Sequence, residues 1–504
     1  MDAARLVPSW DRATRALGPW LFGHNTVWCR GGLGLWDETR RAPDVTTLAS
    51  VRKLGPGLLR FPGGTRAMRY HFAETVGPVG ARVAQCDPFR GERDATTYGP
   101  DEFFAVAGSL GAAPCLVTPW VDGSAEESAA MVAYANFPLG GSRGDVPLGT
   151  DVHGRDFRTA RHWARLRAEH GHPDPYGVPL VEIGNEPYLG MPVGPSTSCG
   201  RPSQFVQSER WIRGVRVPTT ARDYAAEVVR TSELLRAVDP DLRIGVATHS
   251  PLLGTGDEGA IGAADRELGT DDPWNARLVS DAGGRFDFFA VHPYDFRFGP
   301  ERLGLARHAE AIARGLLALV PDGPWRPDVA FTEFGFFLGG DTWANALVTF
   351  DMIRTSANLG ALACVRHILV EDDEGGPFAN AAAILGPTKR TTPAFDVLAR
   401  LAVAKGAVHV DVDGGPLAAL AWRRGDRHFG LAVGDLRPVP GPVRVTARIP
   451  AGRYTRTTTT FAATHLDAPH VDETTERRDD EPLDALTFDV PANGLVLVTL
   501  ERTD

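Results

Sequence analysis

Two glutamates in this sequence each end a short apolar segment of the kind that forms buried parallel strands. Glu186 closes residues 181–186, and Glu333 closes residues 329–333, so that 147 positions separate the two carboxylates. Carboxylates at the ends of two parallel strands can converge on one bond. One can then protonate a leaving oxygen while the other attacks the neighbouring carbon or activates water, which is the chemistry of glycoside hydrolysis.

The elements that must position these glutamates alternate along the chain. Eight apolar segments are typical of strands, and helical patterns follow several of them, most clearly at 220–238, 301–319 and 341–359. The segments are 20–28, 57–61, 114–120, 180–183, 243–248, 288–294, 329–333 and 364–370. Eight alternations predict an α/β fold, a (β/α)₈ TIM barrel. A doubly wound sheet is the alternative, but no Gly-rich phosphate loop follows the first segment.

The pattern changes after about residue 400. Short alternating segments separated by Gly, Pro and Asn turns predict strands near 408–412, 417–422, 428–433, 443–449 and 494–500. We therefore expect a catalytic barrel over residues 1–400 and a C-terminal β-sandwich domain over residues 401–504.

Further polar or aromatic residues fall near the predicted strand ends, where barrels carry their active sites. These candidates are Trp28, Arg60, Trp120, His292 and Tyr294. Each has a structural alternative, since an arginine can be an ion-pair partner and a histidine, tyrosine or tryptophan can be packed core. The tryptophans could also stack on a sugar face. The acidic run at 371–374 is predicted to be a solvated loop. The alternative is that it faces the site and favours a cationic or hydroxyl-rich substrate, or a bound calcium.

Composition and charge narrow the function classes. A net charge of −10 argues against nucleic acid or an anionic membrane as partner, and no apolar run is long enough to span a bilayer. No HExxH motif or cysteine cluster is present, so neither a metal nor another cofactor is predicted, and a metal-dependent hydrolase is disfavoured. Residues 1–20 lack a basic segment followed by an apolar one, so the expected location is the cytoplasm.

Several motifs occur in an order that resembles a known family. They lie at residues 21–24 (LFGH), 59–64 (LRFPGG), 76–82, 133–136, 163–177 and 183–186 (IGNE), and Glu333 extends them to the seventh strand. Together they resemble the retaining glycoside hydrolases of clan A, and more narrowly the α-L-arabinofuranosidases of family 51. That family also has a trailing β-sandwich.

The resemblance implies a role for each matching residue. Glu186 would be the general acid/base and Glu333 the nucleophile. Asn185 would bind the hydroxyl next to the anomeric carbon, Arg60 would hold the nucleophile, and Tyr294 would donate to it. The substrate would be a glycoside or oligosaccharide, no cofactor would be needed, and the protein could be a homo-oligomer. Retention further predicts that the two carboxyl groups lie about 5–5.5 Å apart.

Departures from the family leave the sugar open. Val27 stands where the family usually has glutamate, and Thr65 where it has asparagine, and both family residues hold the arabinofuranose ring. Pro187 and the run at 332–335 look more like relatives that act on pyranosides. The predicted function is thus a retaining, arabinofuranosidase-like hydrolase with an altered glycone pocket. The alternatives are a clan A pyranosidase of the β-xylosidase or hexuronidase type, a transglycosylase using the same residues, and a non-catalytic carbohydrate-binding barrel.

Overall fold

The chain forms a closed parallel barrel joined to a β-rich domain, as the sequence predicts. The computed structural model describes residues 2–140, 144–190, 192–193, 205–251, 253, 273–297, 299–336, 341–371, 382–386 and 388–504. Among them, no helix has the length and apolar character needed to cross a membrane.

The barrel strands correspond one by one to the eight predicted segments. In chain order, barrel strands 1 to 8 are Gly23–Asn25, Leu58–Phe61, Ala113–Val117, Leu180–Ile183, Arg243–Ala247, Phe288–Val291, Asp328–Phe331 and Ala363–Arg366. All neighbours pair in parallel, and strand 8 closes on strand 1. The surrounding helices are Val45–Leu54, Pro100–Leu110, Ala125–Asn136, Ala160–Glu169, Ala221–Val238, Trp274–Ala282, Leu305–Leu319, Trp343–Leu359 and Pro393–Leu401.

The side chains inside the barrel form an apolar layer that lies below a polar layer. A cluster of buried apolar residues fills the lower part: Leu58, Cys115, Leu180, Phe288, Ala290, Ala330, Ala363 and Val365. Alternate strand residues share a face, so the next inward positions on strands 2 and 4 are Arg60 and Glu182, both buried. The apolar layer supports a polar layer at the C-terminal ends of the strands, where barrel active sites lie.

The second domain combines both ends of the chain. Its seven-stranded sheet contains Asp2–Ala16, Val408–Asp413, Ala418–Arg424, His428–Gly434, Val443–Ala462, Asp472–Val490 and Leu495–Arg502. The first strand is antiparallel to Val408–Asp413 and parallel to Val443–Ala462, so the sheet curls onto itself around its own apolar core. The predicted 1–400 boundary is wrong for residues 2–16. That segment alternates like any edge strand, and nothing local in it reveals partners some 400 residues away.

Two long connections rise above the C-terminal ends of the strands. Between strand 2 and its helix lie the 3₁₀ turns Thr65–Arg69, Phe72–Glu74 and Val79–Ala81. Between strand 4 and its helix, the hairpin Glu209–Ile212 and Val215–Pro218 is part of the described chain. Long loops of this kind shape sites rather than merely join elements.

Candidate active site

The two predicted catalytic glutamates meet at the C-terminal mouth of the barrel. One carboxylate oxygen from each of Glu186 and Glu333 and one ring nitrogen of His292 all lie within 4.8 Å of one another, and all three residues are buried. This separation matches a retaining pair and is well below the roughly 6.5–9.5 Å of inverting pairs. Glu186 has a left-handed backbone (φ 47°), a conformation that non-glycine residues adopt rarely and that clusters at functional sites.

Arg60 is the centre of the hydrogen-bond network below the glutamates. Its Nη1 donates to Oε1 of Glu333 at 2.6 Å and to Oδ1 of Asn25 at 2.8 Å. Its Nε and Nη2 edge binds the carboxylate of Glu182, with 2.7 Å from Nη2 to Oε2, and Nη2 also donates to Oδ1 of Asn185 at 2.9 Å. All five N–H groups therefore have acceptors, which fixes the guanidinium and the carboxylate of Glu333 that it holds.

The electrostatic environment favours an ionised Glu333. Burial by itself would raise the pKa of this carboxyl, but the charges of His292, His367 and Arg60 and the hydroxyl of Tyr294 lower it to about 2. Tyr294 donates to Oε2 at 2.7 Å. Burial lowers the pKa of His367 to about 4, so at neutral pH the positive charge beside Glu333 comes from Arg60 rather than from His367. An anionic carboxylate is what a nucleophile needs.

A glycine makes room for the nucleophile. At Gly64, the second of the paired glycines in the LRFPGG motif, a Cβ would lie 2.4 Å from Oε1 of Glu333. That distance is far inside van der Waals contact, so any other residue would displace the carboxylate. Close approach, rather than the tight turn alone, thus explains this glycine.

The carboxyl of Glu186 contacts one ionisable side chain, His292, and one neutral side chain, Gln207. Nδ1 of His292 lies 3.1 Å from its Oε1, while the other ring nitrogen lies 2.9 Å from Oγ1 of Thr332. Gln207, from the long connection after strand 4, donates to Oε2 of Glu186 at 3.4 Å and accepts from Asn185 at 3.1 Å. Burial lowers the pKa of His292, but the charges of Glu333 and Glu186 outweigh burial and raise it. The histidine can therefore exchange a proton with the carboxyl of Glu186.

The same three side chains have the donor types of a small metal site. Both carboxylate oxygens of Glu333, however, already accept charge-assisted or phenolic hydrogen bonds, from Arg60 and Tyr294. A cation there would have to displace these donors and would lie beside a permanent guanidinium charge. The arrangement consequently suits proton transfer and nucleophilic attack better than metal binding.

The two predicted tryptophans lie beside the site rather than among its reacting groups. Trp28 donates from its indole to the carbonyl of Arg66 at 3.2 Å and packs against Tyr70. Trp120 donates to Oγ1 of Thr219 at 3.2 Å and meets Tyr224 edge-on. Both indole N–H groups are thus satisfied by the protein, and both rings are buried. These contacts indicate packing roles in this structure.

The acidic run at 371–374 is only partly visible. Glu371 is buried, and its Oε1 accepts from Nη2 of Arg90 at 3.2 Å, so the predicted solvated loop is wrong for this residue. Residues 372–374 lie outside the described residues. The ion pair joins the connection after strand 2 to the first part of the connection after strand 8.

Sequence reasoning missed three residues that hold the site together. Glu182 and Asn25 are polar residues inside otherwise apolar strands, and that break in the pattern was a usable signal. Asn25 donates to the carbonyl of Thr332 at 2.9 Å and so ties strand 1 to the nucleophile strand. Gln207 follows a loop of irregular composition, and no feature of its sequence indicates a contact with Glu186.

Replacing Tyr294 with phenylalanine should shift the acidic limb of the activity profile to higher pH. If Glu333 is the nucleophile, as the sequence predicts, activity needs its ionised form and is lost as the pH falls through its pKa. Because the phenol's hydrogen bond lowers the pKa of Glu333, loss of that bond raises this pKa. The check is kcat/KM against pH for both proteins. Tyr188→Phe, which removes a buried hydroxyl nearby, is the matched control, and an unmoved limb in Tyr294→Phe would contradict the assignment.

The architecture and the convergent carboxylates together define a class. A (β/α)₈ barrel with two buried glutamates at the ends of strands 4 and 7 has the arrangement of a retaining glycosidase. The family model described as "Alpha-L-arabinofuranosidase 1 domain" matches residues 50–208. This finding and the relatives below confirm the predicted resemblance to glycoside hydrolase family 51.

Named relatives extend the resemblance at low identity. The chain is 25% identical over 249 residues to an intracellular exo-α-(1→5)-L-arabinofuranosidase of Streptomyces lividans, covering 49% of this chain and 29% of that protein. It is 25% identical over 347 residues to a probable α-L-arabinofuranosidase C of Aspergillus terreus, covering 66% and 55%. The matches thus span about a third to a half of these relatives.

The likeness of fold extends further than the likeness of sequence. The crystal structure of the thermostable GH51 α-L-arabinofuranosidase from Thermotoga petrophila superposes with a TM-score of 0.75 at 18% identity, covering 99% of this chain and 100% of that one. The β-rich domain is therefore part of the shared architecture as well as the barrel.

Proposed function

We propose that this protein is a retaining glycoside hydrolase that acts by double displacement, with Glu333 as nucleophile and Glu186 as general acid/base. The observation that carries the proposal is the pair itself: buried carboxylates whose oxygens lie within 4.8 Å, only one of them held by Arg60. Two like groups in different environments can hold different protonation states, which acid and nucleophile roles require.

In the first step, Glu333 attacks the anomeric carbon from the face opposite the leaving group. Glu186 gives its proton to the departing oxygen, so the aglycone leaves as a neutral alcohol and an ester forms between the sugar and Glu333. Arg60 and Tyr294 keep the nucleophile ionised and aligned before attack. Asn185, held by Arg60 and Gln207, is in place to bind the neighbouring sugar hydroxyl.

In the second step, Glu186 acts as a base. It takes a proton from water, the water attacks the anomeric carbon, and the ester bond to Glu333 breaks, which returns both carboxyls to their starting states. Two inversions give net retention. His292, 3.1 Å from Glu186, can hold or return a proton between the steps. A sugar hydroxyl in place of water would give transglycosylation with the same residues.

The proposed substrate is an α-L-arabinofuranoside bound in an altered glycone pocket. Resemblance to proteins named arabinofuranosidases supports the sugar. The alteration is supported by Val27, which is buried at the end of strand 1 with its Cγ1 against Gly63. An apolar side chain there replaces the charged acceptor that the family resemblance implies, so at least one sugar hydroxyl must find another partner.

A panel of aryl glycosides tests the substrate. It contains α-L-arabinofuranoside, β-D-xyloside, β-D-glucuronide and β-D-galactofuranoside, and release of the phenol is followed by absorbance. We expect clear turnover of the arabinofuranoside, with kcat/KM at least about tenfold above the other three. NMR of the first-formed sugar should show retained configuration.

The other outcomes separate the alternatives. Preference for the xyloside or glucuronide would replace the arabinofuranosidase proposal with a clan A pyranosidase. A product of inverted configuration would remove Glu333 as nucleophile. Binding of glycans without cleavage of any substrate would favour a carbohydrate-binding barrel. Val27→Glu, which restores the acceptor, should raise arabinofuranoside turnover if the pocket is altered as proposed.

The cellular location and assembly belong to the same proposal. The cytoplasm is supported by relatives named intracellular enzymes. A homo-oligomer rests on the family resemblance alone, and light scattering of the purified protein would measure it. A monomer at micromolar concentration would contradict that part of the proposal without affecting the chemistry.

A further inference from the structure

A histidine and an arginine form a buried pair on the outside of the barrel, away from the active site. His24 of strand 1 and Arg366 of strand 8 are partners in register, and each is 1% exposed. Their neighbours face inward: a Cβ at Gly23 would lie 2.9 Å from Val365 and 3.4 Å from Leu58, which belong to the barrel filling. Since successive residues alternate, His24 and Arg366 face the surrounding helices.

Within the part of the chain that the structure describes, most polar side-chain atoms of this pair lack a hydrogen-bond partner. Nη1 of Arg366 donates to the carbonyl of Ile368 at 3.1 Å. Among the described residues, nothing accepts from Nε or Nη2 of Arg366, and neither ring nitrogen of His24 has a hydrogen-bond partner. Buried donors of this kind are rare and cost free energy when left unmade, because nearly all buried polar groups in folded proteins are paired.

The unpaired edge of Arg366 consists of Nε and Nη2. In two other arginines of this chain, the same edge binds a carboxylate. Nε and Nη2 lie on one side of a guanidinium and can bind one anion together. Arg60 uses this edge for Glu182, and Arg66 uses it for Asp87, at 3.0 and 3.2 Å. Arg366 presents the same fork without a carboxylate.

Among the described residues, no carboxylate pairs with the charge of Arg366. Burial lowers its pKa to about 9, and the one opposing influence is the phenol of Tyr294, which is neutral at pH 7. The guanidinium therefore stays protonated at neutral pH. A buried cation without a counter-charge is strongly unfavourable, whereas a paired one is tolerated. The adjacent imidazole, whose pKa burial and Arg366 lower to about 3, is neutral and can supply one further N–H donor.

We propose that His24 and Arg366 form a binding site for one small monovalent anion, a halide or a small carboxylate such as formate or acetate. The anion accepts from Nε and Nη2 of Arg366 and from one ring N–H of His24. Neutralisation of the arginine and completion of three hydrogen bonds supply the binding free energy. Adjacent parallel strands are about 4.8 Å apart, so the two side chains start from neighbouring positions on the same face of the sheet.

The site lies directly behind the nucleophile. His367, the next residue after Arg366, turns inward, with its Nδ1 3.9 Å from Oε2 of Glu333. The proposed anion is thus separated from the active site by the wall of the barrel. Its binding does not depend on which reaction the protein catalyses, and the test below needs no substrate.

Crystals of the native protein soaked in sodium bromide give the direct test. We expect an anomalous peak within about 3.5 Å of both Nε and Nη2 of Arg366, as hydrogen bonds to a halide require. A second soak with added sodium formate or acetate separates the two ligand types: loss of the peak identifies a carboxylate as the preferred ligand, and a persistent peak identifies a halide. Water density without anomalous signal, in native crystals soaked in bromide, would overturn the proposal.

Thermal unfolding supplies the independent measurement. Raising bromide from 0 to about 200 mM should raise Tm of the native protein by roughly 3 °C beyond the general salt effect. The variant Arg366→Met should lose this increment, whatever its absolute Tm, and His24→Phe should weaken the bromide midpoint about tenfold. Arg314→Met, an exposed arginine paired with Glu310, is the matched control for ordinary screening and should keep it. Equal bromide dependence in Arg366→Met and native protein would contradict the site.

Discussion

Replacing Glu333 with alanine is expected to lower kcat by about 10⁴-fold or more on whichever glycoside the panel identifies. The variant loses the atom that forms the glycosyl-enzyme, and Arg60 loses one of its two carboxylate partners. The measurement is steady-state hydrolysis of the aryl glycoside. Glu310→Ala, which removes an exposed carboxylate from the outer helix Leu305–Leu319, is the matched control and should remain fully active.

Azide distinguishes a lost nucleophile from a damaged fold. In Glu333→Ala, azide can occupy the space of the carboxylate and attack the substrate once, so the glycosyl azide should have inverted configuration. Arg60 keeps Glu182, Asn25 and Asn185 as acceptors, so the variant should stay folded, which its Tm would verify. Activity within tenfold of native, with no azide product, would contradict the nucleophile assignment.

Replacing Glu186 with alanine should produce a loss that depends on the leaving group. Aglycones that are poor leaving groups as anions need the proton of Glu186. For these substrates, kcat/KM should fall by roughly 10²–10⁴-fold. Dinitrophenolate leaves without a proton, so formation of the glycosyl-enzyme should fall by about tenfold or less, and the ester to Glu333 should accumulate because its hydrolysis lacks a base. Burst kinetics and mass spectrometry of the trapped protein would check both expectations.

Azide gives a further test of the role of Glu186. Azide needs no base, so it should speed turnover of the trapped intermediate in Glu186→Ala and give a product of retained configuration, opposite to that from Glu333→Ala. A loss of equal size for all leaving groups would mean that Glu186 binds or positions substrate and is not the acid.

The guanidinium of Arg60 keeps its positive charge in the barrel interior. Burial lowers the pKa of its guanidinium, but Glu182 and Glu333 outweigh burial and raise it, so the cation persists across the working pH range. Glu182 supplies one negative charge that takes no part in the reaction. The nucleophile can therefore change its charge during turnover without leaving the arginine wholly uncompensated in the interior.

Much of the candidate site was predictable because strand ends in a barrel carry chemistry. Six of the predicted site residues follow or close apolar segments, and the structure brings them together. They are Glu186, Glu333, Arg60, Asn185, His292 and Tyr294. Trp28 and Trp120 share the same position in the pattern but turn into the packing around the site. Position along a strand is local information, whereas the direction of a large side chain depends on the space its neighbours leave.

The sequence by itself determined the barrel and the two carboxylates, since hydrophobic period and strand-to-helix alternation are local properties of the chain. Only the tertiary structure decided that residues 2–16 pair with strands some 400 residues later and that Gln207 reaches Glu186. It also decided that Nε and Nη2 of Arg366 have no acceptor among the described residues. Each of these depends on contacts between segments far apart in the chain. Their energies come from packing and electrostatics in three dimensions, which no local pattern encodes.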